Sequence, residues 1–93
     1  MRERTVEAHF VKRVVETGGI TRKAQWIGRW GCPDRWCGWP GLQRTCWAEL
    51  KGDGGRLSKH QQLEIDRLHS CGEQVWVLRS IEEVDTFIRC MTG

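Results

Sequence analysis

The segment that most constrains this chain is a capped helix lying between two strand-like runs. Ser58 is a good N-cap with Gln61 three residues on, as in a capping box, and Gly72 closes the helix just after Ser70. Before it, Arg44 to Lys51 reads as a strand ending in a Gly52-Asp53-Gly54-Gly55 loop. After it, Val75 to Leu78, with Trp76 inside, has the short apolar character of a buried strand. A helix between two strands implies a crossover, and hence a parallel relation. Upstream, the run from Asp34 to Trp39 turns at Pro40-Gly41 into the Arg44 strand, which allows an antiparallel pair. The sheet is therefore expected to be mixed.

The remaining elements follow from periodicity. Val6, Phe10, Val11, Val14 and Val15 fall at helical spacing between Thr5 and Thr17, and Gly18-Gly19 supplies the stop. Gly19 to Trp30 carries Ile20, Thr21, Trp26, Ile27 and Trp30, which predicts a strand ending at Gly31. Ser80 with Glu83 forms a second capping box, opening a helix whose inner stripe is Ile81, Val84, Phe87, Ile88 and Met91. The expected class is α/β, in the order α-β-β-β-α-β-α, with a mixed sheet flanked by helices. At 93 residues, the span 1–93 makes a single domain with one modest core, so a partner copy would add stability and a homodimer is expected.

Composition narrows the partners. Fifteen Lys and Arg against 12 Asp and Glu give a formal charge of +3, which permits nucleic-acid binding without demanding it. No run approaches the roughly 20 apolar residues needed to span a bilayer, and Met1-Arg2-Glu3-Arg4 leads into a charged helix, so a cytoplasmic protein without a membrane partner is expected. Five cysteines in irregular spacing fit reduced thiols better than a disulfide framework, with Cys71 and Cys90 read as small buried residues.

The chemistry concentrates in two short pieces, Pro33-Asp34 and Glu49-Leu50-Lys51. Asp34 and Glu49 are hard oxygen ligands able to hold Mg²⁺ or Mn²⁺, and Lys51 is a cation two positions on. On a strand, Glu49 and Lys51 project to one face while Leu50 points to the core. Two further polar residues lie on core-facing stripes: Glu7, three and four residues before Phe10 and Val11, and Gln61, which shares a face with Ile65 and Leu68. An unpaired carboxylate at Glu7 would be costly, and a metal site would relieve that cost.

Gly31-Cys32-Pro33-Asp34, Glu49-Leu50-Lys51 and Leu57-Ser58-Lys59-His60-Gln61 together resemble the virus-type replication-repair nuclease (VRR-NUC) domain of the PD-(D/E)XK, restriction-endonuclease-like superfamily. The resemblance runs from the Glu7 helix to the last helix and is to stand-alone phage or prophage-type members. It implies that Asp34 and Glu49 ligate Mg²⁺ or Mn²⁺, with the Leu50 main-chain carbonyl as a third oxygen. Lys51 would position the attacking water or stabilise phosphorane charge, Gln61 would contact water or phosphate, and Glu7 would hold a ligand water. Stand-alone members are similar to dimeric Holliday-junction resolvases, so the implied substrate is branched DNA, with a DNA-binding domain without catalysis as the alternative.

Other readings compete residue by residue. Glu49 and Lys51 could be an ion pair on a solvated face, Asp34 a turn residue, and Glu7 a surface acid near a helix start. Gln61 has a capping role as well as a site role, and one amide is not expected to serve both at once. Cys32, Cys37 and Cys46, with His60 or His69, lack the paired Cys-x-x-Cys of a zinc ribbon. Lys23, Arg29, Arg35, Arg56 and Lys59 are candidate backbone contacts, with Arg44 near the same strands. Of six tryptophans, five (Trp26, Trp30, Trp36, Trp39 and Trp47) fall in the first three predicted strands, where core packing competes with stacking on an unpaired base.

Overall fold

A computed structural model describes all 93 residues, Met1–Gly93. The elements are α1 (Glu3–Glu16), β1 (Ile20–Lys23), β2 (Arg35–Trp39), a single 3-10 turn at Pro40–Leu42, β3 (Arg44–Leu50), α2 (Lys59–Ser70), β4 (Val75–Leu78) and α3 (Ile81–Thr92). The sheet order is β1-β2-β3-β4, antiparallel at the first two junctions and parallel between β3 and β4. This is the mixed sheet and the element order that the helix between β3 and β4 demands.

Strand alternation separates two faces. Cys46, Ala48 and Leu50 of β3, with Cys37 and Trp39 of β2, join Val6, Phe10 and Val14 of α1 and Val84, Phe87, Ile88 and Met91 of α3 in one core. Phe87 is its hub, with ring centroids 5.5 Å from Phe10, 6.0 Å from Trp39 and 5.3 Å from Trp76. Glu49 and Trp47 alternate out of that core and face the α2 side. The helix caps are built as their sequences predict, with one exchange. Ser58 accepts from the Gln61 N–H and Gln61 returns the bond to the Ser58 N–H, whereas the Glu83 carboxylate accepts from Arg79 N–H at 2.8 Å while Ser80 Oγ accepts from Glu83 N–H.

One element differs from expectation. The strand predicted over Gly19–Trp30 stops at Lys23: after the Ala24 N–H donates to the Asp34 carbonyl at 2.9 Å, the chain leaves the sheet as a loop until Arg35. Gly28 and Gly31 sit at φ of 76° and 95°, left-handed geometry incompatible with a continuing strand. Trp26 and Trp30 are therefore loop residues. Cys71 and Cys90, expected to be buried, are exposed; Cys71 follows the last turn of α2, and Cys90 lies off the α3 stripe that faces the core.

Candidate active site

The β2–β3 register sets Arg35 opposite Ala48, so Asp34 comes opposite Glu49 at the end of the pairing. The Asp34 side chain is held there by the main chain of β3: its Oδ2 accepts the Leu50 N–H at 2.9 Å. Glu49 is 2 % exposed. Its Oε2 receives the Gln61 amide at 2.8 Å and lies 3.4 Å from Lys51 Nζ. Its Oε1 is buried with no hydrogen-bond partner. Burial first, then the charge of Asp34, push the Glu49 carboxyl up to about 7, against the opposing pull of Lys51 and, more weakly, of the Asp34 main-chain N–H. A carboxylate stripped of water and set beside another is a poor resident of a solvated strand face, which rules out the simple surface ion pair.

Gln61 resolves the competition between its two roles by performing both. Its Oε1 accepts from Ser58 N–H at 2.8 Å while its Nε2 donates to Glu49. A side-chain amide carries an acceptor at one end and two donors at the other, so cap and site need different atoms. The cap fixes the amide, and the amide fixes which Glu49 oxygen remains free.

Glu7 behaves differently from expectation. It is half-buried, but its Oε2 accepts from Arg35 Nε at 2.9 Å and lies 3.9 Å from Lys23 Nζ, so its charge is compensated by cations. The reason is strand parity: Arg35 shares the Ala48 face, where α1 packs, rather than the Glu49 face. The structure thus joins Asp34, Glu49, Lys51 and Gln61 directly, and attaches Glu7 to Arg35 instead of to them. Arg35, 18 % exposed and committed to Glu7, is not a free phosphate contact. Arg44 donates to the Met91 carbonyl at 2.6 Å and so closes the end of α3. Arg29 is bound to Glu64 at 2.6 Å yet remains half-exposed, while Lys23, Arg56 and Lys59 are exposed.

No protein-family model matches the chain. The chain is 38 % identical over 80 residues to "Putative nuclease p44" of Acyrthosiphon pisum secondary endosymbiont phage 1, covering 86 % of this chain and 85 % of that protein. A solved structure described as a VRR_NUC domain superposes with a TM-score of 0.84 at 28 % identity, over 94 % of each chain. The chain belongs to the VRR-NUC family. It is a phage-type member, and its mixed sheet with three helices is the restriction-endonuclease-like fold of that family.

The residues of this VRR-NUC domain suit a divalent cation. The orphaned, buried Glu49 Oε1 lacks any partner, and a cation beside it would satisfy it and offset the repulsion from Asp34. No group of three or more His, Cys, Asp or Glu side chains gathers anywhere. A pair of carboxylates suits Mg²⁺, which keeps several waters, better than a cage of protein ligands would. Cys37 and Cys46 instead face each other across β2 and β3, Sγ to Sγ at 3.0 Å, inside the core. No helix is long and apolar enough to cross a membrane.

Sequence reasoning missed Glu64. Only 6 % exposed, it accepts from both Arg29 and Arg67, and the Arg29 hydrogen bond above all holds its carboxyl below the usual range. Its position three residues after Gln61 and beside Ile65 was the available signal, the same helical spacing that picked out Gln61.

Proposed function

We propose that this VRR-NUC domain is a Mg²⁺- or Mn²⁺-dependent endonuclease that hydrolyses phosphodiesters in branched DNA, with four-way junctions as the preferred substrate, acting as a homodimer. The observation that carries the metal-dependent reading is the buried Glu49 Oε1, unpartnered beside a second carboxylate. Asp34 and Glu49 would hold the ion, with the Leu50 carbonyl as a further oxygen. The ion supplies a Lewis acid that lowers the pKa of water and offsets charge on the phosphate.

The other roles belong to the chain itself. Gln61 occupies Glu49 Oε2 and so keeps Oε1 directed at the cation position. Lys51, with its side chain 14 % exposed, has one cationic group within reach of Glu49 and available to orient water or stabilise charge on the scissile phosphate. Lys23, Arg56 and Lys59 offer exposed cations for the DNA backbone. Glu7 acts one step away, by setting Arg35 rather than by touching a ligand water. A two-fold dimer would present two such sites to the two cut strands of a symmetric junction.

The test is cleavage of labelled four-way junction, flap, nicked and linear duplexes with Mg²⁺, Mn²⁺ or chelator, beside Asp34→Ala and Lys51→Ala. Metal-dependent cutting of the branched substrates, lost in both variants, is expected. Junction binding without cutting under any metal would replace the enzyme by a DNA-binding domain, and equal cutting of linear duplex would remove the preference for branches.

A further inference from the structure

The loop between β1 and β2 is the least explained part of the molecule. It carries Ile27 wholly exposed and Trp30 at 78 % exposure, four residues before Asp34. Large apolar groups at such exposure are not stabilising the fold, and their position beside the catalytic strand points to a ligand. The loop is nevertheless rigidly held. Glu64 of α2 receives Arg29 at 2.6 Å, Trp26 packs edge-on to Trp47 with centroids 6.0 Å apart, and Gly31 lies so close to α2 that a Cβ there would fall 2.5 Å from the His60 carbonyl oxygen. The helix that fixes Glu49 through Gln61 thus fixes the loop through Glu64, one turn on.

The loop lines an open cavity of about 490 Å³ with Trp26, Gly28, Arg29, Trp30 and Cys32 among others, and a second, also open, of about 330 Å³ lies between Trp30 and the Leu63, Glu64, Arg67 stretch of α2. Arg29 and Arg67 share the single Glu64 carboxylate, and both side chains are more than half exposed. Two cations on one anion leave net positive charge and unused N–H donors at the rim. An indole face, an open cavity and a cationic rim together match one nucleotide unit: a base to stack and a phosphate to hold.

We propose that Trp30 stacks on a nucleobase left without a stacking neighbour at the branch of the DNA substrate, with Arg29 and Arg67 facing the adjoining phosphate, so that this loop selects branched DNA over continuous duplex. The assignment rests on the nuclease reading for its substrate, but not on cleavage. Paired bases are already stacked on their neighbours, and only a base freed at a branch can exchange that partner for an indole.

The test is binding in chelator of two probes, a splayed-arm DNA with 2-aminopurine as its first unpaired base and a fully paired duplex of the same sequence. Wild-type protein is expected to quench the 2-aminopurine and to favour the splayed probe. Trp30→Ala should abolish the quenching and cut that preference by about tenfold, Trp30→Phe should retain most of it, and Arg67→Gln, which leaves the Arg29–Glu64 bond that holds the loop, should weaken both probes alike with a shallower salt dependence. Unchanged quenching and preference in Trp30→Ala would overturn the proposal. So would a Trp30→Ala variant whose only change is loss of self-association in sedimentation, which would make the loop a contact between copies. A wild type that quenches but never cleaves would sink the enzyme and leave this assignment standing.

Discussion

The Gln61 amide bridges two structures at once, accepting the Ser58 N–H at 2.8 Å and donating to Glu49 Oε2 at 2.8 Å. Helix initiation and site geometry are therefore one arrangement. Gln61→Ala should lose both bonds, lowering stability by about 1–2 kcal/mol and cleavage by roughly tenfold or more. Gln61→Glu separates the roles: it keeps an acceptor for Ser58 N–H but sets a third carboxylate against Glu49 and Asp34. Its activity should fall as far as that of the alanine variant, with melting temperature near wild type in acid and depressed at pH 8.

The Glu49 carboxyl makes stability depend on pH. Because burial raises it from 4.5 to about 7, the folded state holds a proton that the unfolded state has lost between those values. Stability in chelator should thus fall as pH rises from about 4.5 to 7 and then level off. Glu49→Gln removes the titration. Its stability relative to wild type should rise between pH 5 and pH 8 by on the order of 2–3 kcal/mol, read from denaturant unfolding. A pH-independent difference would mean that Glu49 is ionised throughout.

Gly31 and Gly28 both adopt left-handed φ, at 95° and 76°, but only Gly31 is crowded. A Cβ at Gly31 would meet the His60 carbonyl oxygen at 2.5 Å, whereas one at Gly28 would meet nothing within 4 Å. Gly28→Ala should cost about 1 kcal/mol from backbone conformation alone. Gly31→Ala should cost clearly more, on the order of 2–4 kcal/mol, and should increase protease cutting between Ala24 and Pro33 as the loop lifts from α2. Equal losses for the two variants would show that Gly31 is not packed against α2.

The parts legible in the sequence were those with a local period. Strand parity placed Glu49 and Lys51 together, and the helix between β3 and β4 fixed the parallel pair. The Ser58–Gln61 spacing reveals the cap and the inward stripe reveals the contact with the sheet, and spacing alone makes the two look exclusive because it does not distinguish the amide oxygen, which caps, from the amide nitrogen, which donates to Glu49. The β1–β2 loop reads as strand in the sequence because Trp26, Ile27 and Trp30 are strand-forming types. What bends it away is Arg29 meeting Glu64, 35 residues distant in sequence, which no local pattern records. Glu7 was correctly placed on an inward face, yet its partner, Arg35, becomes visible only when strand parity brings that side chain beneath α1.

Metal-dependent catalysis at Asp34 and Glu49 is decided by single-turnover cleavage of a four-way junction by wild type and by Asp34→Asn, each with Mg²⁺ and with chelator. Asp34→Asn preserves an acceptor for Leu50 N–H, so the strand end keeps its geometry while one ligand charge disappears. Cutting by wild type with Mg²⁺ alone is expected, with a loss of at least about a hundredfold in Asp34→Asn and junction binding in chelator retained. Cutting by wild type that persists in chelator, or Asp34→Asn cutting at the wild-type rate, would contradict metal-dependent catalysis at these residues.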